Sequence, residues 1–200
     1  MRVLAALVLV IALLIAWEIR RELSLDHKLS DVASEIAGRN VNVDCPGFLR
    51  GLIDIRGHGG SVMFGANGQP SNTTELETSV CHDLSSFAAT RKRAEFSCVF
   101  GTTPCSYKVE RAVYAALVLS HESQHLRGVR SESDAQCYAI QTVAHVAERL
   151  GSPPAEASAV AAHYLAVEQP RMSTDYSLTD DCVNGGSLDL NPQSSGWPTP

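Results

Sequence analysis

His121, Glu122 and His125 are the side chains in this sequence best arranged to do chemistry. They stand as His-Glu-Ser-Gln-His, and residues four apart on an α-helix share one face about a turn apart, so the two imidazoles can grip a single ion. Glu122 projects to the flank of that face, close enough to take a proton from a water on such an ion. Zinc with three protein ligands keeps a position open for water and lowers its pKa to about 7. The water can then attack a carbonyl, with Glu122 taking its proton and later passing it to a leaving amine. The plainer reading of the same residues is a buried helix end whose histidines hydrogen-bond or face solvent.

Around this motif, residues 118–139 resemble the zincins, the superfamily of HExxH zinc metallopeptidases. The resemblance implies that His121 and His125 bind zinc and that Glu122 is the general base. In gluzincins the third ligand is a glutamate on a following helix, with alanine three residues on and then Asp or Asn. Glu132-Ser133-Asp134-Ala135-Gln136 is similar, with Gln136 in place of the acid. In metzincins the motif extends to HExxHxxGxxH; Gly128 is in place here, but Ser131 fills the slot of the third histidine. The interval from His125 to Glu132 is shorter than in most gluzincins. The resemblance therefore implies Glu132 as third metal ligand, with Asp134 in reserve, and assigns no particular family. Glu132 also suits the first turn of a helix with no metal at all, because the helix dipole favours acid there.

A peptidase also needs a donor over the developing oxyanion. Tyr138, His163, Tyr164 and Tyr176 are candidates without a ranking. His145 and His163 read as surface or packing residues, and His58 and His82 join a site only if the fold brings them there. Residues 61–64 are the candidate for an edge strand that binds substrate.

The positioning elements follow from pattern. Residues 107–127 are rich in Ala, Leu and Val, which predicts a helix buried on most sides, ended by Gly128. Ser131 is a good N-cap for a second helix reaching Leu150, and Pro153-Pro154 open a third that runs to about Val167. Short apolar runs at 48–55 and 61–64, separated by Gly-, Asn- and Ser-rich stretches, predict strands, and a short helix follows through Cys81 and Leu84. Leu23, Leu25, Leu29, Val32 and Ile36 recur at helical spacing and predict a stalk helix stopped by Gly38.

Residues 3–17 carry no charge, with Arg2 before them and Glu18, Arg20 and Arg21 after. No small-residue cleavage pattern closes the run, which favours an uncleaved anchor over a cleaved signal. All six cysteines lie beyond this segment and none forms a CxxC pair, which suits disulfides in an oxidising compartment better than thiolate metal sites or buried thiols. Cys98 and Cys105 are close enough to close a small loop, leaving Cys45–Cys81 and Cys137–Cys182. A net charge of −6 gives no electrostatic reason to expect nucleic acid, and the Arg91-Lys92-Arg93 triplet reads as a solvated loop.

The expected fold is α+β: a membrane-anchor helix, a small antiparallel sheet and a three-helix zincin-like metal-binding unit. The expected organisation is an anchor or uncleaved signal at 1–20, a stalk at 21–40, the domain at 41–169 and a flexible tail at 170–200. The expected function is a membrane-tethered, extracytoplasmic Zn2+-dependent metallopeptidase acting on a protein or peptide substrate. The alternatives are a non-catalytic, disulfide-stapled extracellular scaffold that keeps the metal site, and a secreted rather than tethered protein. The oligomeric state is open.

Overall fold

The computed structural model describes residues 2–46, 59–89 and 93–198, and of the side chains before residue 24 only those of 7 and 9–11. The apolar run at 48–55, His58 and Arg91-Lys92 lie outside the described residues, as do most side chains of the expected anchor. The backbone of that segment belongs to helix α1 (Arg2–Ala37), on which Leu7, Leu9, Val10 and Ile11 are exposed. Among the described residues no helix is long and apolar enough to cross a membrane.

The far end of α1 is not a free stalk. Leu29, Val32 and Ala33 are at most 1% exposed, because their apolar stripe packs on the central helix of the domain. Gly38 then turns the chain back, and the Ser34 and Ser30 hydroxyls accept the amides of Val41 and Val43. Those two serines cover one edge of strand β1 (Asn42–Asp44) and leave its other edge for pairing.

The sheet is mixed, which corrects the expected antiparallel one. Strand β2 (Gly60–Phe64) and strand β3 (Pro70–Leu76) form an antiparallel hairpin, while β1 lies parallel to β3, giving the order β1-β3-β2. The cause is the α1 turn: with its outer edge held by the serines, β1 must run along α1 and meets β3 in the same direction. Cys45, just past β1, is bonded to Cys81 on helix α2 (Thr78–Ala89).

Helix α3 (Tyr107–Arg127) is the hub, touching α1, α2, β2, β3 and helix α4 (Glu132–Arg149). Alanines at 112, 115, 116, 139 and 147 are buried and let α3 and α4 approach closely. Helix α5 (Pro154–His163) packs on α4 and continues as a wider turn over Tyr164–Glu168, so the expected three-helix unit is present. The Cys98–Cys105 and Cys137–Cys182 bonds complete the pairing expected from spacing. Bridging of Cys182 pins the C-terminal segment, as a disulfide there would require, and besides it Gln141 donates to the Leu188 carbonyl and accepts from the Leu190 amide.

Because Leu29 is fully buried, Leu29→Ala is expected to lower unfolding free energy by about 3 kcal/mol. A denaturant melt checks it; a change within a few tenths of a kcal/mol would mean that α1 stands clear of the core.

Candidate metal centre

The turn after α3 builds the site. Gly128 adopts φ 113°, a conformation open chiefly to glycine, and its amide bonds the Gln124 and His125 carbonyls. The chain doubles back at once, so that the Val129 carbonyl meets His125 Nδ1 at 2.7 Å. Ser131 caps α4 by accepting the Asp134 amide, and Glu132, the first residue of α4, faces the two histidines.

Three donor atoms converge. His121 Nε2 lies 2.9 Å from His125 Nε2 and 3.0 Å from Glu132 Oε2, and the third side of the triangle is 3.4 Å. Ligands around a tetrahedral zinc at ordinary bond lengths sit about 3.3 Å from one another. Asp134 does not join them, so of the two acids considered it is Glu132 that the turn delivers.

Hydrogen bonds around the triangle decide where its protons are. Among the described residues the only partner of His125 Nδ1 is a carbonyl, which assigns the proton to that nitrogen and the lone pair to Nε2 in the neutral ring. Gln136 donates through Nε2 to Gln169 Oε1 at 2.7 Å and to the Tyr164 hydroxyl at 3.0 Å, which turns its Oε1 towards His121 Nδ1 at 3.1 Å. His121 Nδ1 is therefore a donor too, and its Nε2 also presents a lone pair. With both rings neutral in that tautomer, two lone pairs and a carboxylate oxygen point at one place; a proton on His121 Nε2 instead joins it to Glu132. A proton there satisfies two of the three; a divalent cation satisfies all. Burial, followed by the neighbouring His121, holds the His125 pKa below its ordinary value. The hydrogen bond from His121 lowers that of Glu132.

Glu122 stands beside this group, 4% exposed, and its Oε2 has no hydrogen-bond partner among the described residues. Burial pushes its carboxyl up to about 7, opposed by His121 and assisted by Glu132. Strand β2 comes so close that a Cβ on Gly60 would lie 2.7 Å from Glu122 Cγ, so only glycine lets the strand lie against the site.

An open cleft of about 630 Å³ runs along β2 and is walled by Glu122, His125, Arg130, Glu132 and Tyr176. The edge strand expected at 61–64 is thus the edge strand of the sheet, facing the site. Of the four oxyanion candidates, Tyr176 alone reaches the cleft, with its ring 5.5 Å from that of His121. Its pKa is raised, first by burial and then by Glu132 and Glu122. Tyr164 is buried and holds Gln136, and Tyr138 lines neither cavity at the site. His163 lies between Gly101 O and Glu110 on α3; Cys105, the third member of that cluster, is in a disulfide and offers no thiolate. His145 pairs with Glu35 on the surface at 2.8 Å, and His82 is exposed on α2.

Two residues escape the sequence reading. Gln136 is there only as a substitution for an acid, yet it fixes the His121 tautomer. Tyr114 lines a second cavity of about 200 Å³ with His121, Glu122, Met172 and Tyr176. Its position seven and eight residues before His121 and Glu122, on the same face of α3, was a usable signal.

Loss of the Gln136 contact through Gln136→Leu is expected to weaken metal binding by about 10- to 100-fold, read by competition with a chromophoric chelator; unchanged affinity would place the tautomer lock elsewhere. In chelated protein, the raised Glu122 value means stability complete below the ordinary carboxylate range and lost as pH rises through about 7. Chelated Glu122→Gln should therefore gain on wild type in denaturant melts between about pH 4 and pH 8, and parallel curves would contradict it. No known protein family, curated protein or solved structure matches the chain, so the meaning of this centre rests on its own geometry.

Proposed function

We propose that the chain is a zinc-dependent peptidase of zincin-like design. Its domain lies on the extracytoplasmic side of a membrane, tethered through the apolar start of α1. The observation that carries this reading is the combination at one point of three convergent donors and a buried, part-orphaned carboxylate, open to a cleft along an edge strand. Three disulfides are in keeping with an oxidising compartment.

His121, His125 and Glu132 would hold the zinc, which when bound activates water and polarises the scissile carbonyl. Glu122 takes the proton from the attacking water, a task that suits a carboxyl whose pKa lies near neutrality. Having taken it, Glu122 delivers it to the leaving amine. Tyr176, beside His121 in the cleft wall, is the side chain that would supply a hydroxyl to the oxygen on which negative charge develops. The outer edge of β2, unpaired among the described residues, pairs with an extended peptide and aligns it along the cleft, with alternate side chains facing the protein. Gln136 and the Val129 carbonyl keep both imidazoles in the tautomer that presents Nε2.

Incubation of the zinc-loaded chain with a diverse peptide library, read by mass spectrometry, tests the proposal. Cleavage is expected, and Glu122→Gln should reduce it by about 10²- to 10⁴-fold without changing zinc content. If zinc-loaded wild type cuts no peptide in the library, a non-catalytic scaffold that holds a metal becomes the better description.

A further inference from the structure

Arg130 follows the glycine turn and ends in the cleft wall. Its Cζ lies 5.4 Å from the centroid of the Phe64 ring, and that ring in turn meets His125 edge-on at 6.3 Å. Phe64 therefore contacts both the guanidinium and a histidine of the donor triangle. On its other side the guanidinium fills the space that a side chain at position 68 would need, which Gly68 leaves open. Stacking and cradle together hold a long, flexible side chain in one place. Among the described residues no carboxylate pairs with it, unlike Arg111, Arg149 and Arg171, which each have an acidic partner.

The cleft wall also holds two carboxyls: Glu132 faces the histidines, and Glu122 is buried. Arg130 is the one Lys or Arg side chain lining the cleft among the described residues, and a guanidinium carries a fork of donors. The remaining lining is small or apolar: Gly60, Val62, Gly65, Ala66 and Gly68 offer no charged alternative. Glu122 lies against Gly60 at one end of β2, and Arg130 against Phe64 at the other. Four residues of strand span about 13 Å, so a peptide lying along β2 has room for only a few residues between the reacting carbonyl and Arg130.

Building on the peptidase reading, we propose that Arg130 selects substrates carrying a carboxylate within a few residues of the scissile bond. The carboxylate is either the side chain of an acidic residue or the free C-terminus of a short peptide. A guanidinium binds a carboxylate through two parallel hydrogen bonds, and the Phe64 stack pre-orients the fork.

The test uses zinc-loaded full-length Glu122→Gln, which holds peptides without cutting them, and calorimetric titration with matched peptide pairs. One pair is capped at both ends and differs only by Glu against Gln at successive positions along the peptide. The other differs only by a free carboxylate against an amide at the C-terminus. We expect roughly tenfold tighter binding of the charged member in one pair, and the pair that shows it identifies the source of the carboxylate. Adding Arg130→Gln should bring that ratio close to one. If this variant does not fold, Arg130→Met keeps an extended chain over Phe64 without the charge. Equal affinities within both pairs overturn the proposal, as does a preference that survives loss of the arginine. Library cleavage by wild type separates the two readings: cutting with no carboxylate preference sinks this proposal and leaves the peptidase intact. Carboxylate-selective binding with no cutting does the reverse.

Discussion

Two imidazole Nε2 atoms and a carboxylate oxygen meet within 3.4 Å of one another, and the hydrogen bonds behind the rings turn the lone pairs of both neutral imidazoles towards that meeting. Lone pairs so placed repel, and the repulsion is relieved only by positive charge at their common focus. Much of the surrounding structure can be traced to this constraint. The Val129 carbonyl must reach His125, so the chain must reverse within one residue of α3, which only the left-handed Gly128 allows. The same reversal delivers Glu132 at the first turn of α4. The lock on His121 reaches further, through Gln136 to Tyr164 and Gln169, and Gln169 then bonds the carbonyl of Tyr176. The segment after α5 is thus connected to the metal-site tautomers as well as to the cleft wall.

Placing such a group at the buried end of α3 requires polar residues inside a small core, and the neighbouring side chains show how this is managed. Ser120 bonds the Ala139 carbonyl and the Thr142 hydroxyl, Ser123 bonds back to Leu119, and the Gln124 amide finds Thr142. The two serines close their bonds locally or to α4, while Gln124 pairs its amide nitrogen and leaves its Oε1 without a partner among the described residues. Helix α3 thus keeps its close packing while its inward face turns from alanine to chemistry. Hydrogen-bonded in this way, buried polar groups are nearly neutral to stability; left unpaired they are costly.

Much of this was legible in the sequence because it depends on local pattern. Helical periodicity, Gly128, Ser131 and the prolines at 153–154 define α3 to α5, and the four-residue spacing of His121 and His125 defines a shared face. The placement of Glu132 beside the histidines was readable because the turn is short: few residues separate it from His125, and it sits at a helix start. The mixed sheet was not readable, since β1 is three residues long and its direction is set by two serines on a helix that precedes it. Tyr176 could not be distinguished from Tyr138 and Tyr164 for a related reason. It reaches the site through a long-range return of the chain, pinned by Cys137–Cys182, in a segment whose Ser- and Asp-rich composition reads as tail. The phase of Gln136 was visible, but its role depends on Gln169, more than thirty residues away.

The disulfides and the carboxyl of Glu122 bear on one another energetically. A buried carboxylate oxygen without a partner costs on the order of 1–3 kcal/mol or more, and the convergent donors add repulsion until a cation arrives. A domain of this size has net stability of only about 5–15 kcal/mol, so these are large fractions of it. Each disulfide that closes a loop of tens of residues contributes about 2–4 kcal/mol by restricting the unfolded chain. Two of the three bracket the site: Cys45–Cys81 ties β1 to the helix that follows the β2–β3 hairpin, and Cys137–Cys182 ties α4 to the segment bearing Tyr176. The cross-links thus offset strain close to where it is stored, and they hold the cleft wall and Tyr176 in register with the histidines even when no ion is there to do so.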